Sequence, residues 1–222
     1  MEDGKVMINI IYEDNHLLVV EKPVNVPVQA DSSKDKDLLT TLKEYLKEKY
    51  KKEGNVYLGL VHRLDRPVGG VMVFAKTSKA ASRLSKQIKD HSFKKTYLAV
   101  VEGKIKEKGN FIDKLLKDDK TNTTSVNPKG KEAKLNYKLL DYKDNLSLVQ
   151  INLETGRSHQ IRVQFSSRSH PLYADQRYNP NAQKGQIALF ASKIEFTHPV
   201  TKKQLIFSLK KPNRYPFDIF KM

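Results

Sequence analysis

Six consecutive apolar or small residues at 70–75 (GVMVFA) restrict the fold of this chain more than any other segment. The run is shorter than a buried helix and has no polar face, which predicts a strand buried on both sides. Residues 96–101 (TYLAVV) predict a second strand of this kind. Apolar runs on both sides of a short turn predict antiparallel hairpins at 8–23 and at 135–153.

Helical spacing of apolar residues occurs in three other segments. The first is residues 37–51, with Asp37 as the predicted N-cap. The second begins after Ser78, its predicted N-cap, and the third is a short helix at 158–168. The apolar face of the second helix contains Ala81, Leu84 and Ile88.

Strands are also predicted at 57–61, 187–196 and 204–210, whereas the polar segment 104–134 predicts a surface excursion, either a hairpin or a mobile loop. Strands therefore outnumber helices, and hairpin signals outnumber strand–helix–strand signals. We expect an α+β fold, with a mainly antiparallel mixed β-sheet core and flanking helices.

The charge of the chain favours a polyanionic partner. Lys and Arg number 41 against 25 Asp and Glu, which gives +16 over 222 residues. Nucleic acid is the first candidate and an anionic membrane the second, while a generally Lys-rich surface is the alternative. No apolar run approaches the roughly 18 residues of a membrane span, and the N-terminal residues lack the pattern of a signal peptide. The absence of cysteine excludes disulfides and thiolate sites and fits a reducing cytoplasm.

Common cofactor and metal motifs are missing. The chain has no phosphate-binding loop, no dinucleotide-binding glycine pattern, no Gly-x-Ser-x-Gly and no His-Glu-x-x-His. Its histidines are scattered and no two lie four residues apart on a predicted helix. We therefore expect neither a metal site nor a cofactor.

One carboxylate, Asp65, lies between Arg63 and Arg66 in 62-HRLDR-66, close to the predicted buried strand. Adjacent guanidinium groups keep a carboxylate ionised, as a nucleophile requires. The alternative is that Asp65 caps a turn and forms a surface ion pair. A second cluster, 155-TGRSHQIR-162, is either a phosphate site at a helix start or a solvated first turn.

Together these clusters resemble the RluA-type pseudouridine synthases. The matching segments occur in the family's order and cover most of residues 10–210. They are 12-YEDNHLLVVEKP-23, 59-GLVHRLDRPVGGVMVFAKTSKAASRLSKQI-88, 94-KKTYLAVVEG-103, 154-ETGRSHQIRVQF-165 and 170-HPLYADQRYN-179.

The resemblance implies an enzyme that flips a uridine out of structured rRNA or tRNA and isomerises it without metal or cofactor. Asp65 would be the catalytic aspartate, Arg63 would fill the gap left by the base, and Tyr97 would pack on the base. The other implied substrate contacts are Arg157, which would pair with Asp65, Ile161, which would wall the pocket, and His62.

The same resemblance implies one catalytic domain over residues 1–222, with two subdomains around an RNA-binding cleft as an option and no N-terminal S4 module. We expect a cytoplasmic monomer with no membrane contact. Asp65 could attack C1′, remove a 2′-proton to give a glycal, or add to C6, and the family favours the glycal route. The alternatives are a non-catalytic RNA-binding protein on the same scaffold, or a small-molecule glycoside enzyme, which the +16 charge disfavours.

Three positions depart from the family pattern. Residues 68-VGG-70 replace the usual hydroxyl residues before the glycine, and Asn25 replaces a glycine in 22-KPVN-25. Residues 174-AD-175 replace the usual Gly-Asp. Asn tolerates a left-handed backbone, so the turn at Asn25 is expected to survive.

Overall fold

A computed structural model describes residues 8–31 and 33–221. The expectation that the chain opens without a signal peptide concerns residues 1–7, which lie outside this range. The chain divides into two compact units, the first formed by Met1–Phe93 with Ile194–Ser208 and the second by Lys94–Lys193 with Leu209–Met222.

Among its described residues, the first unit pairs strands β1 to β4 antiparallel and contains two helices. Its elements are β1 (Asn9–Glu13), β2 (Leu17–Lys22), α1 (Leu38–Lys49), β3 (Gly59–Leu60), β4 (Gly69–Ala75) and α2 (Ser78–Lys89). Strand β2 pairs antiparallel with both β1 and β4, and β3 pairs antiparallel with β4. All seven residues of β4 are buried, as the sequence predicted.

The second unit is built on a strand order of β5-β9-β8-β6-β7, antiparallel at each pairing. Its elements are β5 (Lys94–Glu102), β6 (Lys108–Asp118), β7 (Thr123–Val126), β8 (Lys131–Lys143), β9 (Leu146–Leu153), α3 (Gln160–Ser166) and a 3₁₀ turn at Phe217–Ile219. Strand β10 (Leu189–Thr197) contributes residues to both units, and β11 (Gln204–Ser208) pairs with it.

Both faces of the β5-β9 region of the second unit are covered by apolar side chains. One face carries the ring cluster of Phe111, Tyr137 and Phe165, the last from α3. On the other, Leu98 and Val100 belong to a cluster that includes the chain's last aromatic residues, Phe217 and Phe220. The second cluster holds β5, the strand that carries Tyr97, through Leu98 and Val100.

The expected α+β fold with a mainly antiparallel sheet and flanking helices is confirmed, and two local predictions need correction. Thr77, not Ser78, caps α2, because the Thr77 side chain accepts the hydrogen bond from the Ala80 N–H. Strand β3 is only two residues long. Of the two alternatives for residues 104–134, the hairpin is confirmed, because β6 and β7 pair antiparallel, and the segment also contains the start of β8.

Candidate active site

The Asp65 loop is anchored by buried side chains on both sides of the carboxylate. Leu64 is 7% exposed and Val68 is 2% exposed, whereas Asp65 is partly buried and Arg63 is exposed. The Val68 N–H closes a turn by donating to the Asp65 carbonyl at 2.9 Å. Leu64 therefore points into the core, whereas Arg63 and Asp65 do not.

His62 supports this loop because its side chain accepts a hydrogen bond from β4 at a position that β3 does not reach. Strand β3 stops at Leu60, which pairs with Phe74, so the next N–H of β4 in that direction lacks a strand partner. The His62 Nε2 accepts a hydrogen bond from the Val73 N–H at 3.1 Å, and its ring contacts Phe93. The imidazole therefore joins the Asp65 loop to the backbone of β4.

Lys22, at the end of β2, binds the other side of the loop. Its side chain is 1% exposed, and its Nζ donates to the carbonyls of Pro23 at 2.9 Å, Arg66 at 3.0 Å and Val68 at 2.7 Å. Burial lowers the pKa of Lys22 to about 7, although the negative charge of Asp65 opposes that shift. An ammonium group has three donors, and these three carbonyls match them.

The Val68-Gly69-Gly70 departure fits this arrangement. Val68 contributes its carbonyl to Lys22 and its side chain to the core, so neither contact needs a hydroxyl group. Gly70 has a φ of 130°, which L side chains rarely adopt. Asn25 has a φ of 63°, so the turn predicted to survive at this position is confirmed.

The two arginines beside Asp65 have other partners. The Arg63 Nη1 donates to the Gln29 side chain at 3.3 Å, and Arg66 forms ion pairs with Asp31 and Asp35. The local surface ion pair that the sequence left open as an alternative for Asp65 is thus not formed with either neighbour.

In the second unit, Tyr97 lies in the middle of β5. It is opposite Ile151 of β9 and is 7% exposed. Lys95 precedes it by two residues and therefore lies on the same face of the strand. Burial lowers the pKa of Lys95. Lys95 was not among the site residues predicted from the sequence, although it stands only two residues before Tyr97.

The turn that carries Arg157 is held by two side chains that the sequence analysis did not select. Thr155 Oγ1 donates to Gln160 Oε1 at 2.8 Å, and the same oxygen accepts the Arg157 N–H at 3.0 Å. Thr155 Oγ1 also accepts the Lys134 N–H at 2.8 Å. Arg157 itself is exposed, and its Nε donates to the Glu132 carbonyl at 2.8 Å.

Ile161 and Arg162 begin helix α3 and are both buried. Ile161 is 4% exposed and Arg162 is 5% exposed. The Arg162 guanidinium binds both carboxylate oxygens of Asp175, at 2.9 and 2.7 Å. The preceding Ala174 has a φ of 57° where the family usually has glycine, so the altered pair keeps a left-handed backbone.

Across the described ranges, no three His, Asp or Glu side chains lie close enough to hold a metal ion. Within those same ranges, no helix is long and apolar enough to cross a membrane.

Solved structures show which class of protein has this fold. Human RNA Pseudouridylate Synthase Domain Containing 1 matches with a TM-score of 0.78 at 22% identity, over 99% of this chain and 90% of that chain. Human RNA Pseudouridylate Synthase Domain Containing 4 matches with a TM-score of 0.77 at 20% identity, over 92% and 88%. The fold is that of the pseudouridylate synthases.

The chain belongs to the RNA pseudouridylate synthase family, whose model matches residues 16–167. It is similar to an RNA pseudouridine synthase of Bacillus subtilis, 34% identical over 90% of this chain and 67% of that protein. It is also similar to ribosomal large subunit pseudouridine synthase D of Zymomonas mobilis, 33% identical over 100% and 74%. Synthase C of Vibrio vulnificus is 35% identical over 88% and 63%. The chain is an RNA pseudouridine synthase, an isomerase.

Proposed function

We propose that this enzyme isomerises uridines in structured rRNA or tRNA, with Asp65 as its essential carboxylate and without metal or cofactor. The anchoring of the Asp65 loop by Lys22 carries the proposal, because a catalytic group must be held within a fraction of an ångström. Relatives named as ribosomal large subunit synthases favour rRNA over tRNA as the substrate. We further propose that it acts as a monomer in the cytoplasm.

The reaction needs no second reactant. The N1–C1′ bond breaks, the uracil rotates, and C5 bonds to C1′, while C5 loses a proton and N1 gains one. Uracil leaves as a delocalised anion, so a second carboxylic acid to protonate the leaving group is not required. Of the three routes open to Asp65, we favour removal of the 2′-proton to give a glycal.

The other proposed site residues bind the flipped nucleotide. Tyr97 packs on the uracil, a contact worth about 1–3 kcal/mol per base. Ile161 walls the pocket, and Arg157 pairs with Asp65. Arg63 enters the gap in the RNA, which suits an exposed side chain that donates a long hydrogen bond of 3.3 Å to Gln29. His62 contributes through the loop that it supports, because its Nε2 is committed to Val73.

Binding of phosphates offsets the few kcal/mol that base flipping requires. Helix α2 is a candidate for this contact, because its sequence SKAASRLSKQIK contains four cations and no acid. Three of these cations, Lys79, Lys86 and Lys89, are exposed. Such a surface predicts RNA binding that weakens steeply with salt.

The proposal is tested by mapping pseudouridines in total RNA from cells with and without this gene, and from cells with Asp65→Asn. We expect at least one site in rRNA or tRNA to disappear from both altered strains. Identical maps together with retained RNA binding would support the non-catalytic RNA-binding alternative instead.

A further inference from the structure

Lys95 is a lysine for which the proposed mechanism has no role. It lies on β5 opposite Leu153, on the same face as Tyr97 and two residues before it. The distance along the strand between these two residues is about 7 Å, from a rise of about 3.3 Å per residue. One nucleotide spans a comparable distance between its base and its phosphate.

The ammonium group of Lys95 lacks a hydrogen-bond acceptor among the described residues. Within residues 8–31 and 33–221, no carboxylate or carbonyl accepts a hydrogen bond from its Nζ, and burial alone lowers its pKa. A partly buried cation without a hydrogen-bond acceptor reduces the stability of the folded protein. A lysine in this state is suited to an anion that arrives with a ligand.

The lack of a side chain at Gly156 provides the space in which the Lys95 ammonium group lies. A Cβ atom at Gly156 would lie 3.1 Å from the Lys95 Nζ, so any side chain there would crowd it. The turn cannot easily shift away, because Gln160 Oε1 holds Thr155 and Arg157 on either side of the glycine. The Nζ of Lys95 therefore lies close to the backbone of a turn that is held in place.

We propose that Lys95, lying against Gly156, binds a phosphate oxygen of the RNA strand next to the nucleotide whose base packs on Tyr97. This inference rests on the proposed function and adds a phosphate contact to it. RNA supplies such an oxygen once per nucleotide, and the charge of +16 matches a polyanionic ligand.

The test compares Lys95→Met, Lys95→Arg and the control Lys104→Met, each in an Asp65→Asn background so that turnover does not affect binding. Lys104 is exposed, and its Nζ lies 5.5 Å from the centre of the Tyr142 ring. Lys104→Met removes one positive charge, as Lys95→Met does, and therefore controls for the change in net charge. Binding of a fluorescein-labelled RNA stem–loop with uridines in its loop is measured by anisotropy over a range of KCl concentrations.

We expect Lys95→Met to weaken binding about 10-fold, the effect of losing one charged hydrogen bond. The slope of log affinity against log salt should fall by about 0.7–0.9, which corresponds to one phosphate. Lys95→Arg should bind within about 3-fold of the protein with Lys95, as should Lys104→Met, since single exposed charges contribute little.

Thermal unfolding separates this role from a structural one. Lys95→Met should raise the unfolding midpoint, because it removes a cation without an acceptor from a partly buried position. Unchanged affinity, or a loss of affinity accompanied by a lower midpoint, would overturn the proposal. So would a lower kcat at unchanged KM in the Asp65 enzyme, which would indicate an action on the departing uracil.

The proposed function has a separate readout, namely pseudouridine formation by the Asp65 enzyme on total rRNA and tRNA. If the protein bound RNA but formed no pseudouridine, the proposed function would be contradicted. The Lys95 variants would still show whether Lys95 binds a phosphate. A failure of the enzyme to bind the stem–loop and rRNA alike would contradict both.

Discussion

The Nζ of Lys22 donates a hydrogen bond to the carbonyl oxygen of Val68 at 2.7 Å, across 46 positions of the chain. Together with the bond to Arg66, this contact joins the end of β2 to the segment that follows Asp65. A buried lysine is thereby placed beside the loop of the proposed catalytic carboxylate.

Lys22 makes stability depend on pH in a defined window. Its pKa is about 7 in the folded protein against a usual value of 10.5. Between these values the unfolded chain holds a proton that the folded chain does not, so the free energy of unfolding should rise with pH there. The limiting slope is about 1.4 kcal/mol per pH unit, and below pH 7 the cost of burying the charge is fully present.

Lys22→Met is the matched variant for this prediction. Urea unfolding of both proteins at a series of pH values should show a Lys22 contribution that is absent from the methionine protein. Equal pH dependence of the two proteins would contradict the shifted pKa. The variant should also have a lower kcat with RNA affinity retained, because the Asp65 loop loses its anchor.

His62→Ala should destabilise the fold by about 1–3 kcal/mol, the penalty of an unsatisfied buried N–H group. The reason is the bond from the Val73 N–H, which no neighbouring strand replaces at that position. Arg63→Ala, one residue away and exposed, should stay within about 0.5 kcal/mol by the same urea titration.

The Arg63→Ala protein should nevertheless lose activity on a folded RNA stem more than on a flexible single strand. Equal losses on the two RNAs would remove the proposed insertion of Arg63 into the stack. A fold as stable in His62→Ala as in the parent would remove the structural role of the imidazole.

Arg157 and Arg162 should separate activity from stability. Arg162→Met leaves the Asp175 carboxylate, 0% exposed, without its bidentate partner, and should cost about 3–5 kcal/mol. Arg157→Met removes an exposed side chain, so the fold should be retained while pseudouridine formation falls. If Arg157→Met were fully active and a folded Arg162→Lys were inactive, the catalytic arginine would be Arg162.

Glu13 stabilises the first unit through a network with Tyr45 and Lys49 of α1, with Tyr50 just after this helix, and with Lys76. Burial would raise its pKa, but hydrogen bonds from Lys49, Lys76, Tyr50 and Tyr45 outweigh it and lower the pKa to about 2, from 4.5. Glu13→Gln should destabilise by about 1–3 kcal/mol at neutral pH. The difference should shrink as pH falls from 4.5 towards 2, because in this range Glu13 is protonated in the unfolded chain but not in the folded one, so the parent loses stability.

The control for this network is Glu44→Gln, which removes the exposed ion pair with Lys36. It should change stability by less than about 1 kcal/mol, as surface ion pairs do. A Glu13→Gln protein whose difference from the parent is constant down to pH 2 would contradict the shifted pKa.

The strands and hairpins could be predicted because their signals are local. The apolar run at 70–75 predicts a strand from its own residues, and the structure has β4 there. The turn between 135–142 and 146–153 likewise predicts a hairpin, and the structure has β8 and β9 there. The hairpin within residues 104–134 was only one of two alternatives from the sequence, because polar residues obscure an alternation in which Phe111 and Leu115 are buried.

The supports of the candidate site could not be predicted in the same way. Lys22 reads as part of a Lys-Pro turn, and its burial depends on carbonyls 44 and 46 residues further along. His62 reads as a substrate contact, and its bond to Val73 depends on the early end of β3. These contacts exist only once strands distant in sequence are paired.

Pseudouridine formation by the Asp65→Asn protein tests the central claim most directly. The substitution keeps the side-chain shape and removes the carboxylate charge. On rRNA and tRNA from cells lacking this gene, the parent should form pseudouridine at one or more positions. Asp65→Asn should form none while its RNA affinity and unfolding midpoint match those of the parent. Pseudouridine formation at the parental rate by Asp65→Asn would contradict the assignment of Asp65 as the catalytic residue.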